Sequence, residues 1–207
     1  ITCQRCGSRV LVPPVGTPAS AAASQPPPPP AVPSNATIPE LIEKLRNGDE
    51  HVGKLLLQKG EAIIPLLIEG FNEHAITEPD TNRGADNIVK LLARCGAVCV
   101  QPLIARLGKS RHAYYALGKI ANEDAINALA RELTSVNWHR VEIACKALGL
   151  VENPNVQKIV SNIEIVRKST RVGEVFTAAS AAIAAIQARF PKAPVSGTTL
   201  QPAKVVH

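Results

Sequence analysis

The run Ala116-Leu117-Gly118-Lys119-Ile120-Ala121-Asn122 returns 31 residues later as Ala147-Leu148-Gly149-Leu150-Val151-Glu152-Asn153. Each copy closes one apolar stretch of helical spacing and is followed by another. Self-similarity at a period of about 30 to 45 residues marks a solenoid, in which each helix pair buries its apolar face only by stacking on its neighbours. The fold class expected is all-α, an α–α superhelix of about five helix pairs. Such a fold is a surface before it is a reaction vessel.

Apolar periodicity predicts helices over 38–47, 50–59, 61–73, 83–95, 97–108, 111–121, 123–135, 138–151, 154–168 and 172–190, taken two by two. Thr37, Pro39 and Glu40 read as the start of the first helix. Gly48, Gly60, Gly96 and Asn122 fall at junctions that want a residue tolerant of φ > 0. The longest break runs from Ala75 to Asp86, polar and turn-rich, and reads as a mobile or contact loop. Hydrophobic residues make up 45% of the chain and aromatics only 3%, so Ala, Leu, Ile and Val must build the core. A folded part of roughly 150 residues buries about 68–70% of its unfolded surface, which is enough without metals or disulfides.

The folded part is predicted to span 37–190. Residues 13–36 hold nine prolines, among them the run Pro26 to Pro30, and read as a Pro/Ala-rich disordered linker with polyproline II bias. Residues 191–207 have no periodicity and are expected to be a disordered tail. No run of 18 apolar residues and no signal-peptide pattern is apparent, so no membrane partner is expected. Five cysteines, three of them on apolar helices, suit a reduced, cytoplasmic setting.

The net charge of +6 is unevenly spread. Residues 37–86 hold five basic and ten acidic groups, whereas 87–122 hold six basic groups (Lys90, Arg94, Arg106, Lys109, Arg111, Lys119) and no acid. An acidic end beside a basic middle gives an oriented field that steers charged partners.

Three segments share a further pattern: Gly60-Glu61-Ala62-Ile63-Ile64-Pro65-Leu66-Leu67, then Gly96-Ala97-Val98-Cys99-Val100-Gln101-Pro102-Leu103-Ile104, then Asn122-Glu123-Asp124-Ala125-Ile126-Asn127-Ala128-Leu129, which lacks the proline. A proline within the first helix of a pair, followed by Leu-Leu or Leu-Ile, resembles a HEAT repeat. The Ala-Leu-Gly ending preceded by Arg140-Val141-Glu142-Ile143-Ala144 is similar to the short HEAT-like repeats first described in phycobilin lyases and seen in many bacterial proteins. Those repeats carry a Val-Arg pair early in the second helix; here the order is reversed, Arg140 before Val141. The resemblance covers about 150 residues. It implies a HEAT-like solenoid and no activity, since fold does not imply function.

The N-terminus, residues 1–12, carries Cys3-Gln4-Arg5-Cys6-Gly7. It resembles half of a zinc ribbon, in which two Cys-x-x-Cys turns close a tetrahedral thiolate site. Cys3 and Cys6 are metal ligands only if an upstream Cys-x-x-Cys exists, and otherwise free thiols; zinc belongs to a full-length protein and no cofactor to this chain. The start at Ile1 and the absence of methionine suggest the C-terminal piece of a longer protein.

His51, His74, His112, His139 and His207 are scattered, without metal-ligand spacing, nucleophile elbow or phosphate loop. No catalytic residue is assigned and an enzyme is not expected. The candidate partner-binding set is Arg106, Lys109, Arg111, His112, Tyr115, Trp138, His139 and Arg140, since aromatics and Arg are enriched at binding hot spots. Tyr114 or Tyr115 filling the core and Trp138 closing a gap between repeats is the competing reading. The function expected is a non-enzymatic protein–protein interaction scaffold with Arg106, Lys109 and Arg111 foremost; the alternative is a nucleic-acid binder using the basic 87–122 stretch.

Overall fold

The computed structural model describes residues 37–71 and 83–191. Among them the secondary structure is helical throughout: α1 Ile38–Arg46, α2 Glu50–Gln58, α3 Ile64–Glu69, α4 Arg83–Cys95, α5 Val100–Ile104, α6 Arg111–Ile120, α7 Glu123–Glu132, α8 Trp138–Gly149, α9 Val160–Ser169 and α10 Gly173–Arg189. The domain is all-α. The knuckle with Cys3 and Cys6, the Pro-rich linker and the tail beyond Pro191 lie outside the described residues.

Local chemistry sets the starts and stops. The Thr37 N–H donates to the Glu40 carboxylate (2.9 Å), holding the first turn of α1. Asn122, Asn137 and Asn153 each accept a backbone N–H at the start of the next helical segment, at 2.9, 3.0 and 2.9 Å. Asn122 and Asn153 are the matching ends of the two repeat copies. Gly48, Gly60 and Gly96 take positive φ as expected, but Asn122 does not: the left-handed residue is Ala121, at φ 54°. Asn122 is extended, at φ −80°, because its side chain caps α7.

Helices α3 and α5, which carry Pro65 and Pro102, are shorter than periodicity predicted, as is α9, which starts only at Val160 after a 3₁₀ turn over Pro154–Ile159. The first two likewise open with a 3₁₀ turn, Gly60–Ile63 before α3 and Gly96–Cys99 before α5, and only then become α-helical. Pro65 falls in the first turn of α3, where its missing N–H costs no intrahelical bond.

Packing follows an alternating scheme. α4, α6, α8 and α10 pack in succession, each on the next, while α3, α5 and α7 make the thinner row beside them. The first pair departs from it, for α1, more than α2, is the neighbour of α4. Arg189 at the end of α10 donates to the carbonyls of Gly149 and Val151, tying α10 to the end of α8. Arg46 likewise reaches the Gly70 carbonyl.

The Ala-Leu-Gly repeat marks these crossings. A Cβ on Gly118 would run into the backbone carbonyl of Ala147, the alanine of the second copy. A Cβ on Gly149 would stand 3.2 Å from the Cα of Ala182 on α10. Each glycine thus lets the following helix approach backbone to backbone, and Leu117 and Leu148 beside them are fully buried. Burial of each such side chain contributes about 1.5–3 kcal/mol.

By length and composition, Ala85–Ile104 is long and apolar enough to cross a membrane, a segment the sequence reading passed over. Gly96, at φ 76°, breaks it. Ile88, Leu92, Cys99 and Leu103 within it are buried in the helix packing.

Candidate functional site

The successive packing of α4, α6, α8 and α10 places equivalent positions side by side. Gly118 meets Ala147 and Gly149 meets Ala182, which fixes the register between helices. The residue just before the repeat's alanine is then Tyr115, Lys146 and Ala181, and the residue just after its glycine is Lys119, Leu150 and Ala185. Extending the register back to α4 adds Lys90 to the first row and Arg94 to the second. Every one of these residues lines an open groove. The groove consists of two hollows, of about 570 and 600 Å³, which meet at Lys90, Lys119 and Leu150.

Basic side chains run along both hollows, and the apolar share rises toward α10. At the α2–α4–α6 end its walls carry Lys54, Lys90, Arg94 and Lys119, all exposed, with His51 beside them. The α8–α10 hollow shares Lys90 and Lys119 with the first, adds Lys146, and is walled further by Leu150, Ala178, Ala181, Ala182 and Ala185. Asp86 and Glu152 are the acids on the rim. Lys146 pairs with Glu142 one turn away, at 2.7 Å, which offsets part of its charge. Leu45 and Leu91 form an apolar floor at the basic end.

The residues singled out from the sequence divide among three places. Tyr115 lines the groove, half-buried, and Arg111 lies one turn earlier on the same face of α6. Arg106 and Lys109 lie in the turn between α5 and α6. His112 is buried, at 2% exposure, with its ring stacked on Phe71 at 5.6 Å, so it faces the core. The Trp138 and His139 rings lie against one another at the start of α8, centroids 3.4 Å apart and tilted by 31°. Trp138, 38% exposed, borders a separate small hollow of about 210 Å³ with Val136, Val141, Val166 and Val175.

Arg140 belongs to a partly buried network. Its guanidinium grips both oxygens of Glu132 at 2.7 Å, in the two-pronged geometry that makes such pairs strong. Tyr114, fully buried, donates its hydroxyl to Glu132 at 2.6 Å and accepts the Gly108 N–H at 3.1 Å. Burial pushes the Glu132 carboxyl up, but the bonds from Arg140 and Tyr114 outweigh it and hold the group below its ordinary value. Burial and the Glu132 carboxylate raise Tyr114. The network pins α6, α7 and α8 to the α5–α6 turn, and it gives the reversed Arg140-Val141 pair a structural task. Tyr114 is thus the core tyrosine and Tyr115 the surface one.

Sequence reasoning missed Lys54 and Lys146, and did not connect Lys90, Arg94 and Lys119 to a common face. The signal was present in the repeat itself. Tyr115 and Lys146 are 31 residues apart, as are Lys119 and Leu150. Glu132 gave no signal, because an acid in a helix usually faces solvent.

Cys99 and Cys145 are buried, and burial lifts both thiols to about 12; the half-buried Cys95 is raised for the same reason. Thiols so protonated are poor nucleophiles at neutral pH. Among the described residues, no cluster of His, Cys, Asp and Glu is arranged to hold a metal ion. In comparisons with known proteins, no family model and no curated protein matches this chain.

Proposed function

We propose that this chain is a HEAT-like α-solenoid whose second-row helices form a binding face, and that it acts as a non-enzymatic protein–protein interaction scaffold. The observation that carries the proposal is the groove along α4, α6, α8 and α10, built from repeat-equivalent positions. Short pockets that perform chemistry converge polar groups on one point. Here the lining instead repeats along an axis, as in solenoids that offer extended surfaces to partners. Arg111 extends that face at the start of α6.

A second reading is favoured by Lys54, Lys90, Arg94 and Lys119 at one end of the groove: a nucleic-acid backbone held by those cations. Contacts to about four phosphates predict a log–log salt slope near −3.6 on duplex DNA.

Affinity capture from native lysate, with and without nuclease, separates the two. Protein partners that persist after nuclease support the scaffold. Recovery that collapses on nuclease treatment overturns it in favour of the nucleic-acid reading.

A further inference from the structure

We infer that the groove takes one kind of occupant: an amphipathic helix of a partner protein, acidic toward one end and small and apolar toward the other. The inference rests on the scaffold reading and adds the chemistry of the partner to it.

The argument is one of complementarity along the groove. Lys54 and Arg94 line one end and Lys90 and Lys119 the seam between the hollows, against two acids, Glu152 and Asp86, so an incoming segment gains from carboxylates over that half. These cations are exposed side chains carried on α2, α4 and α6. Beneath them lie Leu45 and Leu91, which reward an apolar face turned inward. Toward α10 the walls add Ala178, Ala181, Ala182 and Ala185, with Lys146 already paired to Glu142, so a close-packing surface of small or flat apolar side chains profits there. Helices dock in grooves by residues at i, i+3, i+4 and i+7, so one helix presents both chemistries at once. A nucleic acid answers the cations but not the alanine and leucine walls, since its backbone is charged along its whole length. A basic or neutral helix answers the walls but not the cations.

The test uses the full chain and three labelled probes, read by fluorescence anisotropy. The first is a helical peptide of about 18 residues, long enough for about 27 Å, with Leu and Ala on one face and Glu on the N-terminal half of the other. The second is the same peptide with Lys in place of each Glu. The third is a DNA duplex of about 20 base pairs. The acidic peptide is expected to bind about tenfold or more tighter than the basic one. The double variant Lys90→Glu, Lys119→Glu is expected to reverse that preference, which a merely unfolded variant would not do. Leu150→Gln is expected to weaken the acidic peptide without reversing the preference. Equal binding of both peptides, or no change on charge reversal, overturns the inference. Duplex binding lost in the double variant, without peptide binding, overturns both it and the scaffold reading. Partners captured from lysate that survive nuclease and are retained equally by the double variant leave the scaffold standing and remove this occupant.

Discussion

At the scale of single residues, the glycine of each Ala-Leu-Gly is where the account is sharpest. Alanine is the better helix former by about 1 kcal/mol, so Gly118→Ala would stabilise a free helix. Here its methyl meets the Ala147 carbonyl, a backbone group that cannot swing aside. Gly118→Ala is expected to destabilise by about 3 kcal/mol, and Gly149→Ala, whose contact is the looser 3.2 Å one, by about 1 kcal/mol, both read as urea midpoints. Ala121 carries the opposite strain: at φ 54° its Cβ is crowded by its own backbone. Ala121→Gly is expected to raise stability by about 0.5 kcal/mol, net of the freedom glycine brings to the unfolded chain. Glu132 gives a pH signature. Its folded value lies below its unfolded one, so its contribution is complete above the unfolded value near 4.3 and is lost as pH falls through the folded value. Glu132→Gln is expected to cost about 1–2 kcal/mol at pH 7, with the gap to the parent chain closing below about pH 4 in thermal melts.

At the scale of elements, periodicity located each helix among the described residues but misjudged the starts of three, α3, α5 and α9, which follow 3₁₀ turns. Apolar periodicity predicts one continuous helix from residue 61. The chain instead winds a 3₁₀ turn from Gly60 and starts α3 only at Ile64, with Pro65 in the first turn. Apolar spacing barely distinguishes three residues per turn from 3.6 over so short a span, which is why the difference was not legible. Because Pro65 interrupts no hydrogen bond, Pro65→Ala is expected to change stability by less than about 1 kcal/mol, measured by chemical denaturation. The junction at Ala121–Asn122 shows the same limit. Asparagine both tolerates left-handed backbone and caps helices, and only the position of the Ala125 N–H decides between the two. The basic stretch 87–122 was legible as composition, yet it divides in space. Lys90, Arg94 and Lys119 reach the groove, while Arg106 and Lys109 lie in a turn and His112 is in the core. Neighbours in sequence were grouped where neighbours in register should have been. A period of 31 residues, applied to Tyr115 and Lys119, points to Lys146 and Leu150.

At the scale of the whole helical domain, the central claim is that successive helices of one row share a binding face. If the rows are held mainly by nearest neighbours, damage should stay local. Gly149→Ala is expected to lower hydrogen-exchange protection in α8 and α10 while leaving α1 and α2 unchanged; uniform loss across all helices would speak for a single undivided core. The repeat made the all-α architecture legible because the spacing of glycine and alanine records where backbones cross. The partner was not legible, because a groove is written across several helices and its basic and apolar lining emerges only when they are set side by side. The most direct test of the claim is site-specific photocrosslinking in cells, with a photoreactive residue at Leu150 in the groove or at the exposed Lys158 before α9. Protein adducts from position 150 that are absent from position 158 are the predicted result. Adducts from position 158 alone, or nucleic acid in place of protein at position 150, would contradict it.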